Sequence, residues 1–401
     1  MLDLKDGGIM NRNIYVSVEF GTHSLKLLVS EFFGEKQNIL FLDEELTKGI
    51  EVGHIVDKAT VQNNLKKLIN RAEKFLNARI KAVILMLPSV NLWTKEVTYD
   101  VTIPENMVKG KHIKNLFNKV YTEEMKANDR GGVIAAIYPN SFTSVKMRKV
   151  IDNPVGELTR ELSANIEIVF ENQAMIAEYI SVVEQLGIEV IEIMPNVVGY
   201  KNSLLMKEEM EDYTCVVDIG ANTTTITVYH DQLIERSETF KIGSSIVTEA
   251  LMEKLGLSYE DSEDFKITHG SCVAKEASDE IILEKHYPDG TISYITNEYV
   301  AQIIEEKYLE IIRVIKRYLL EYGLKNKITY YYLIGGGVAI ENFERLFKNN
   351  FGEWVSIRRP NLIGTRHPKY SSIISGQYNA YYFEKLFEEQ YDMIIFNNQE
   401  V

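Results

Sequence analysis

Two stretches of this chain repeat one another. From Ile14 to Val29 it reads Ile-Tyr-Val-Ser-Val-Glu-Phe-Gly-Thr-His-Ser-Leu-Lys-Leu-Leu-Val, and from Cys215 to Tyr229 it reads Cys-Val-Val-Asp-Ile-Gly-Ala-Asn-Thr-Thr-Thr-Ile-Thr-Val-Tyr. With Glu19 set on Asp218, Gly21 falls on Gly220, Ser24 on Thr223 and Val29 on Val228. Each copy is a β-branched strand, an acid-x-Gly turn, a run of hydroxyl residues and a second strand. A repeat half a chain apart calls for two related lobes facing one another, with room between them for a phosphate chain and its metal.

Either hairpin alone would read as a plain glycine turn. Two aligned copies favour a nucleotide site, for three reasons. Glycine lets backbone N–H groups approach a phosphate closely at Gly21 and Gly220. The hydroxyls of Thr22, Ser24, Thr223 and Thr224 can donate to phosphate oxygens. The carboxylates of Glu19 and Asp218 can hold Mg²⁺, chiefly through water, because Mg²⁺ keeps much of its hydration shell. A third glycine run, Gly335-Gly336-Gly337, follows an apolar strand and precedes a helix, which suits an anion or a close turn. It is not a dinucleotide fingerprint, since Ile340 stands where the last glycine would be, and no phosphate-loop motif occurs.

The intervening sequence supplies strands and helices in alternation. Ala59–Leu76 places Val61, Leu65, Leu68, Ile69, Ala72 and Leu76 at helical spacing, and Ala82–Leu87 reads as a strand buried on both faces. A block of different character follows: a strand over Lys95–Ile103, a helix over Met107–Met125, strands over Gly132–Pro139 and Ser144–Val150, and a strand over Glu167–Phe170. That is enough for a small inserted α+β subdomain. Gln173–Leu186 is helical and Ile188–Met194 a strand, with Pro195 opening a helix. After the second hairpin come a helical pattern over Ile246–Lys275, a hairpin turning at Asp289-Gly290, and a long helix over Asn297–Tyr322. A strand over Ile328–Ile334 and a helix over Ile340–Lys348 complete the pattern.

Composition narrows the function classes. The 401 residues carry a net charge of −14, which argues against a general nucleic-acid binder and against simple attraction to anionic lipid. Cys215 and Cys272 are too few for a disulfide framework and read as reduced cytoplasmic thiols. The histidines are scattered without metal-ligand spacing, so zinc chemistry has no support, and no Gly-x-Ser-x-Gly elbow is present. No apolar run approaches the roughly 18 residues that span a bilayer.

Together these features resemble the actin/Hsp70/sugar-kinase superfamily and, within it, the FtsA family of actin-like bacterial cell-division proteins, from about Ile14 to about Gly376. The carrying segments are the two hairpins, Gly49–Asp57, Tyr138–Phe142 with Asn153–Gly156, Ile242-Gly243-Ser244, Glu263–Lys266 with His269-Gly270, Gly335–Val338, and Pro368–Ser372 with Gly376. The resemblance implies an α/β, actin-like two-lobed ATPase fold. Residues 10–87, 172–205 and 366–390 would form the first lobe, with 88–171 inserted into it. Residues 206–245 and 323–365 would form the second lobe, with 246–322 as its subdomain and tails at 1–9 and 391–401. It implies ATP and Mg²⁺ as cofactors, with Lys26, Gly243, Glu263 and Lys266 joining the hairpins and the glycine run around the nucleotide. It implies a filament-forming scaffold at the inner face of the membrane at the division site. The C-terminal tail of the tubulin-like protein FtsZ would dock on 246–322, where Lys307, Arg313, Lys316 and Arg317 either face an acidic peptide or form a solvated helix face.

The chain also departs from that family. Glu19 replaces the usual aspartate. The second loop reads Asp218-Ile-Gly-Ala-Asn-Thr-Thr-Thr225 where the family has Asp-Ile-Gly-Gly-Gly-Thr-Thr-Asp. Ala221 and Asn222 add side chains where phosphate would approach the backbone, and Thr225 removes a carboxylate. The expectation is nucleotide binding with weak or absent hydrolysis and no catalytic residue. Nor does Ile373–Gln390 read as the basic amphipathic C-terminal helix that the resemblance implies. Ile373–Gln390 carries Glu384, Glu388 and Glu389 against Lys385, so either the short apolar Met393–Phe396 inserts weakly or a partner supplies the anchor. Two other readings share the core: a PilM-like pilus or secretion platform, which the looser second loop fits, and a small-molecule kinase, which would need an acid near the γ-phosphate.

Overall fold

In the computed structural model, which describes residues 13–286 and 288–397, the two hairpins seed two sheets of the same topology. The tail expected at 1–9, and residues 398–401 of the one expected at 391–401, lie outside the described residues. The chain begins with strands β1 (Asn13–Phe20), β2 (Ser24–Phe33) and β3 (Lys36–Leu46), all antiparallel neighbours. Asp57 caps α1 (Lys58–Leu76) by accepting from the Thr60 amide. The helix buries the expected Val61, Leu65, Leu68, Ile69 and Ala72, each burial worth about 1.5–3 kcal/mol for the larger side chains. It returns the chain to β4 (Ala82–Leu87), which is parallel to β1 and buried at every residue.

The inserted block follows as β5 (Trp93–Thr102), α2 (Gly110–Ala127), β6 (Val133–Ser144), β7 (Lys149–Ile151) and β8 (Glu161–Glu171), a sheet in the order β7-β6-β8-β5. Here the structure differs from the sequence reading. The first of the two expected strands runs straight through Pro139 to Ser144. Proline can sit there because the ladder with β8 shifts register beside it, and β7 reaches only Phe142–Ser144 on the other side. No strand amide is therefore missed. The chain re-enters the first lobe through α3 (Gln173–Glu184), β9 (Glu189–Pro195) parallel to β4, and the short α4 (Asn196–Ser203).

The second lobe repeats the plan with β10 (Thr214–Ile219), β11 (Thr224–His230) and β12 (Leu233–Phe240). The helical stretch after it divides at Gly256, whose left-handed backbone ends α5 (Ser245–Leu255), and Ser258 caps α6 (Tyr259–His269). A two-stranded hairpin leads into α7 (Asn297–Glu321), then β13 (Tyr330–Ile334), α8 (Phe343–Phe351) and β14 (Val355–Ile357). The sheet orders are β9-β4-β1-β2-β3 and β14-β13-β10-β11-β12, each with two parallel strands beside the hairpin. Finally α9 (Ser371–Phe387) crosses back to the first lobe. Its buried Gln377 side chain donates to the Tyr15 and Leu28 carbonyls and accepts from Gln37, which fixes the helix across β1, β2 and β3.

The apolar segment after α9 is tied into the first lobe. Ile394–Phe396 pairs antiparallel with Ala78–Ile80, Met393 is buried, and the Lys81 amide donates to its carbonyl. Glu388 accepts from the Gly110 amide and Glu389 pairs with Lys114, so these acids clasp α2 to the end of α9. Among the described residues, no helix is long and apolar enough to cross a membrane.

Glu171, at the end of β8, carries a testable consequence. It is buried, its carboxyl finds at most the adjacent Asn172 amide, and burial pushes it up to about 9. An acid raised in the folded state holds its proton there while the unfolded chain has released it. Stability is therefore lost as pH rises from the ordinary carboxylate range toward 9, by about 1.4 kcal/mol per pH unit. Glu171→Gln keeps the neutral shape and removes that slope. Urea unfolding should show the variant gaining on the parent by roughly 1 kcal/mol per unit from pH 6 to 8; a pH-independent difference would contradict the assignment.

Candidate functional site: a cleft between two matched hairpins

The two hairpins turn in the same way. The Gly21 amide donates to the Ser24 carbonyl at 3.1 Å, and the Gly220 amide donates to the Thr223 carbonyl at 2.8 Å. Across the strands Glu19 faces Lys26, and Asp218 faces Thr225 in the same register. Both turns line one cleft between the lobes.

The floor of that cleft holds the two carboxylates. Glu19 is buried and Lys26 Nζ lies 3.2 Å from its Oε1, while Oε2 has no partner. Burial pushes the Glu19 carboxyl up and the neighbouring Asp218 adds to this, with Lys26 opposing. Burial also raises Asp218, against the Tyr200 hydroxyl and Lys26. Tyr200 donates to Asp218 Oδ2 at 2.7 Å and sits 2.9 Å from Ser372 Oγ. A buried acid with an orphan oxygen beside a half-buried one forms a pair whose charged state a cation would stabilise. Among the described residues no cluster of three or more His, Cys, Asp or Glu could hold a metal alone. A cation here would rely on these two carboxylates, water and a ligand's own oxygens, which fits Mg²⁺ bound together with phosphate.

The walls are set by close backbone packing. Gly335 has φ +93°, and a Cβ there would lie 2.4 Å from both Asp218 Oδ1 and the Ile219 carbonyl oxygen. Gly243 runs so close behind the second turn that a Cβ would meet the Ala221 carbonyl at 2.3 Å. Ser244 and Ser245 amides then donate to the Gly220 and Ala221 carbonyls, locking that turn onto the start of α5. At the mouth, Lys369 pairs with Glu44, which also accepts from Ser24 at 3.1 Å. The Lys369 and Ser24 bonds outweigh burial and hold Glu44 below the usual carboxylate range. Burial and Lys369 push His367 down to about 4, so it is neutral near pH 7.

The structure brings together Glu19, Gly21, Thr22, Ser24, Lys26, Asp218, Gly220, Ala221, Thr223, Glu263, Gly335, Gly336 and Gly337 on this cleft. Four candidates stand behind or beside it. Thr224 is buried and donates to the Ile242 carbonyl at 2.7 Å, so its hydroxyl supports the turn and does not face a ligand. Asn222 points to solvent, and Gly243 backs the loop. Lys266 is buried and donates to Thr248 and to Glu263 Oε2 at 2.7 Å, holding Glu263 in the wall. Sequence reasoning missed Tyr200, Ser372, Glu44, Tyr259 and Ile267, all lining residues. Lys369 and Ser372 lay inside the Pro368–Ser372 segment without a role; the other positions carried no local signal.

Thr225 is also settled in a particular way. Thr239 donates to the Ser89 carbonyl at 2.7 Å, so the 2.8 Å contact between Thr225 and Thr239 must use the Thr225 proton. Thr225 lines the cleft with its proton engaged by Thr239, and no carboxylate stands in its place.

Comparison with known proteins places this architecture. The profile of the family described as "Cell division protein FtsA" matches residues 215–375. The cell division protein FtsA of Staphylococcus epidermidis (strain RP62A) is 23% identical over 389 residues, covering 94% of this chain and 81% of that one. The FtsA of Escherichia coli (strain K12) is 24% identical over 382 residues, covering 91% and 89%. Over most of its length the chain is similar to FtsA proteins. Among solved structures, the PilM–PilN type IV pilus biogenesis complex superposes with a TM-score of 0.61 at 14% identity, covering 93% of this chain and 98% of that one. MreB5 of Spiroplasma citri bound to ADP gives 0.53 at 14%, with the same coverage. These likenesses give the actin-like fold of the FtsA-like chain.

Gly335→Ala tests the packing that shapes the cleft. The added methyl cannot be placed without moving Asp218 or Ile219, and it faces a positive φ. The expected cost is about 1–3 kcal/mol in chemical denaturation. Gly336→Ala, whose nearest neighbour is Lys369 Cβ at 3.8 Å, is expected within about 1 kcal/mol of the parent. Equal effects at the two positions would refute the packing argument.

Proposed function

We propose that this FtsA-like chain binds ATP with Mg²⁺ between its lobes and acts as a filament-forming scaffold of the division machinery, linking FtsZ to the membrane at the division site. The observation that carries the reading is the matched pair of turns on one cleft, with Glu19 and Asp218 at its floor. The Gly21–Ser24 and Gly220–Thr223 turns would grip phosphates from opposite sides, and Gly335–Gly337 with Glu263 would flank the nucleoside. Bound Mg²⁺ would neutralise the two carboxylates and the phosphates together. MreB5 of Spiroplasma citri, a protein of related fold, was solved bound to ADP, which supports a nucleotide here.

The cleft is built to hold more than to cleave. Activating a water for attack on the γ-phosphate needs a base or a positioning group near it. At the position of the family's second-loop acid, Thr225 is neutral and hydrogen-bonded away. The same absence leaves a small-molecule kinase without its acid.

FtsZ's acidic tail is proposed to dock on the subdomain that contains α7. There Lys307 pairs with Glu310 and Lys316 is bound to Asn350, while Arg313 and Arg317 are exposed. Those two arginines are the better candidates for an acidic peptide. With Met393–Phe396 held in the first lobe, membrane contact is proposed to be peripheral or indirect. A PilM-like platform is the second reading, favoured by the TM-score of 0.61 against the PilM–PilN complex.

Pelleting of the purified chain with ATP, ADP or no nucleotide, with and without liposomes, tests the scaffold. The expectation is ATP-dependent pelleting in which the bound ATP is recovered intact. The division role predicts that removing the FtsZ tail abolishes binding to FtsZ, and that Arg313→Glu with Arg317→Glu weakens it at least tenfold. Binding that ignores both changes would overturn the division reading in favour of the pilus one.

A further inference from the structure

The short helix α4 bonds to both lobes and to the inserted sheet. Its Val197 amide donates to Ser89 Oγ at 3.3 Å, and its Val197 carbonyl accepts from Tyr229 of the second lobe at 2.6 Å. Two successive side chains then reach in different directions. Tyr200 donates to the cleft carboxylate Asp218, as described above. Lys201, 4% exposed, pairs with Glu167 of the inserted sheet and donates to Asn140 Oδ1 at 3.1 Å.

Glu167 does not stop at Lys201. Its Oε1 accepts from the Ile234 amide at 2.6 Å, and Thr94 Oγ1 donates to the Ile234 carbonyl at 3.2 Å. Both backbone groups of that β12 residue are therefore held by the inserted sheet. Ile234 lies beside a register shift in the β11–β12 ladder. Glu167 is 1% exposed, so each of these bonds is made without water as a substitute. A short chain of buried contacts thus runs from Asp218 through Tyr200, the α4 backbone, Lys201 and Glu167 to the edge strand of the second lobe.

We propose that α4 couples the cleft to the inserted subdomain: Tyr200 is a positioning residue for Asp218, and Lys201–Glu167 carries the state of that carboxylate to β5 and β8. Whatever occupies the cleft competes with Tyr200 for Asp218. Such a change moves the hydroxyl, the helix that bears it and the buried lysine one residue along. Linkage makes the effect reciprocal, so loosening the Lys201–Glu167 junction alters affinity in the cleft by the same factor that occupancy alters docking of the subdomain. The inference rests on the nucleotide reading above.

The test uses ADP with Mg²⁺ on the full chain, read by calorimetry and by amide hydrogen exchange. Tyr200→Phe removes only the hydroxyl. Glu167→Met with Lys201→Met removes both buried charges together and so avoids stranding one of them. In the parent, ADP is expected to slow exchange in Trp93–Thr102 and Glu161–Glu171. In both variants that slowing falls to less than half. The double variant, which touches nothing in the cleft, should bind ADP about fivefold or more weakly. Lysine and glutamate restored singly should not recover it; restored together they should. If the parent binds ADP but exchange in the inserted sheet is unchanged, or changes equally in the variants, the coupling is wrong while the nucleotide reading stands. If the parent binds no ADP, the nucleotide reading itself fails and the coupling with it.

Discussion

Two neighbouring carboxylates, one buried and one half-buried, set the terms for this molecule. Glu19 and Asp218 come from opposite lobes, and each is raised by burial. Lys26 and Tyr200 answer part of their charge, and one oxygen of Glu19 is left without a partner. An acid pair in this state is costly to keep ionised. The lobes are nonetheless packed to keep it: Gly335 gives way to Asp218, Gly243 to the second turn, and Gln377 pins α9 behind the first. That close packing holds two under-neutralised acids in place at the cleft.

The repeat explains why this geometry arises, and its imperfections explain what it does. Both lobes use the same hairpin, the same sheet order and the same turn hydrogen bond. Where they differ, the differences are chemical. Lys26 stands opposite Glu19, whereas Thr225 stands opposite Asp218. One lobe therefore presents a cation to the cleft and the other a spent hydroxyl. Under the proposed function, that asymmetry would suit gripping a phosphate chain and would do little to activate water.

Much of the architecture was legible from the chain because burial patterns are local. The alternation around Glu19 and Asp218, the stripe of α1 and the apolar run of β4 each report their own surroundings. Pro139 misled because whether a strand tolerates proline depends on its neighbours' register and reach. The candidate site was legible where glycine and acid stood in sequence together. It was not legible at Tyr200 or Glu44, which the fold carries to the cleft from distant segments. Thr224 and Lys266 show the opposite failure: polar residues beside a motif turned inward to support it. The sequence left Met393–Phe396 as either a weakly inserting tail or one needing a partner's anchor, yet it pairs with Ala78–Ile80, more than three hundred residues earlier, and a local pattern does not reveal such a pairing.

The most direct measurement is calorimetric titration of ATP into the parent chain and into Asp218→Asn, each with and without Mg²⁺. Mg²⁺ is expected to tighten binding to the parent by tenfold or more, about 1.4 kcal/mol, and this gain is expected to disappear when Asp218 loses its charge. Binding that is indifferent to Mg²⁺ in the parent, or a magnesium gain that survives in Asp218→Asn, would contradict a cleft organised around the two carboxylates.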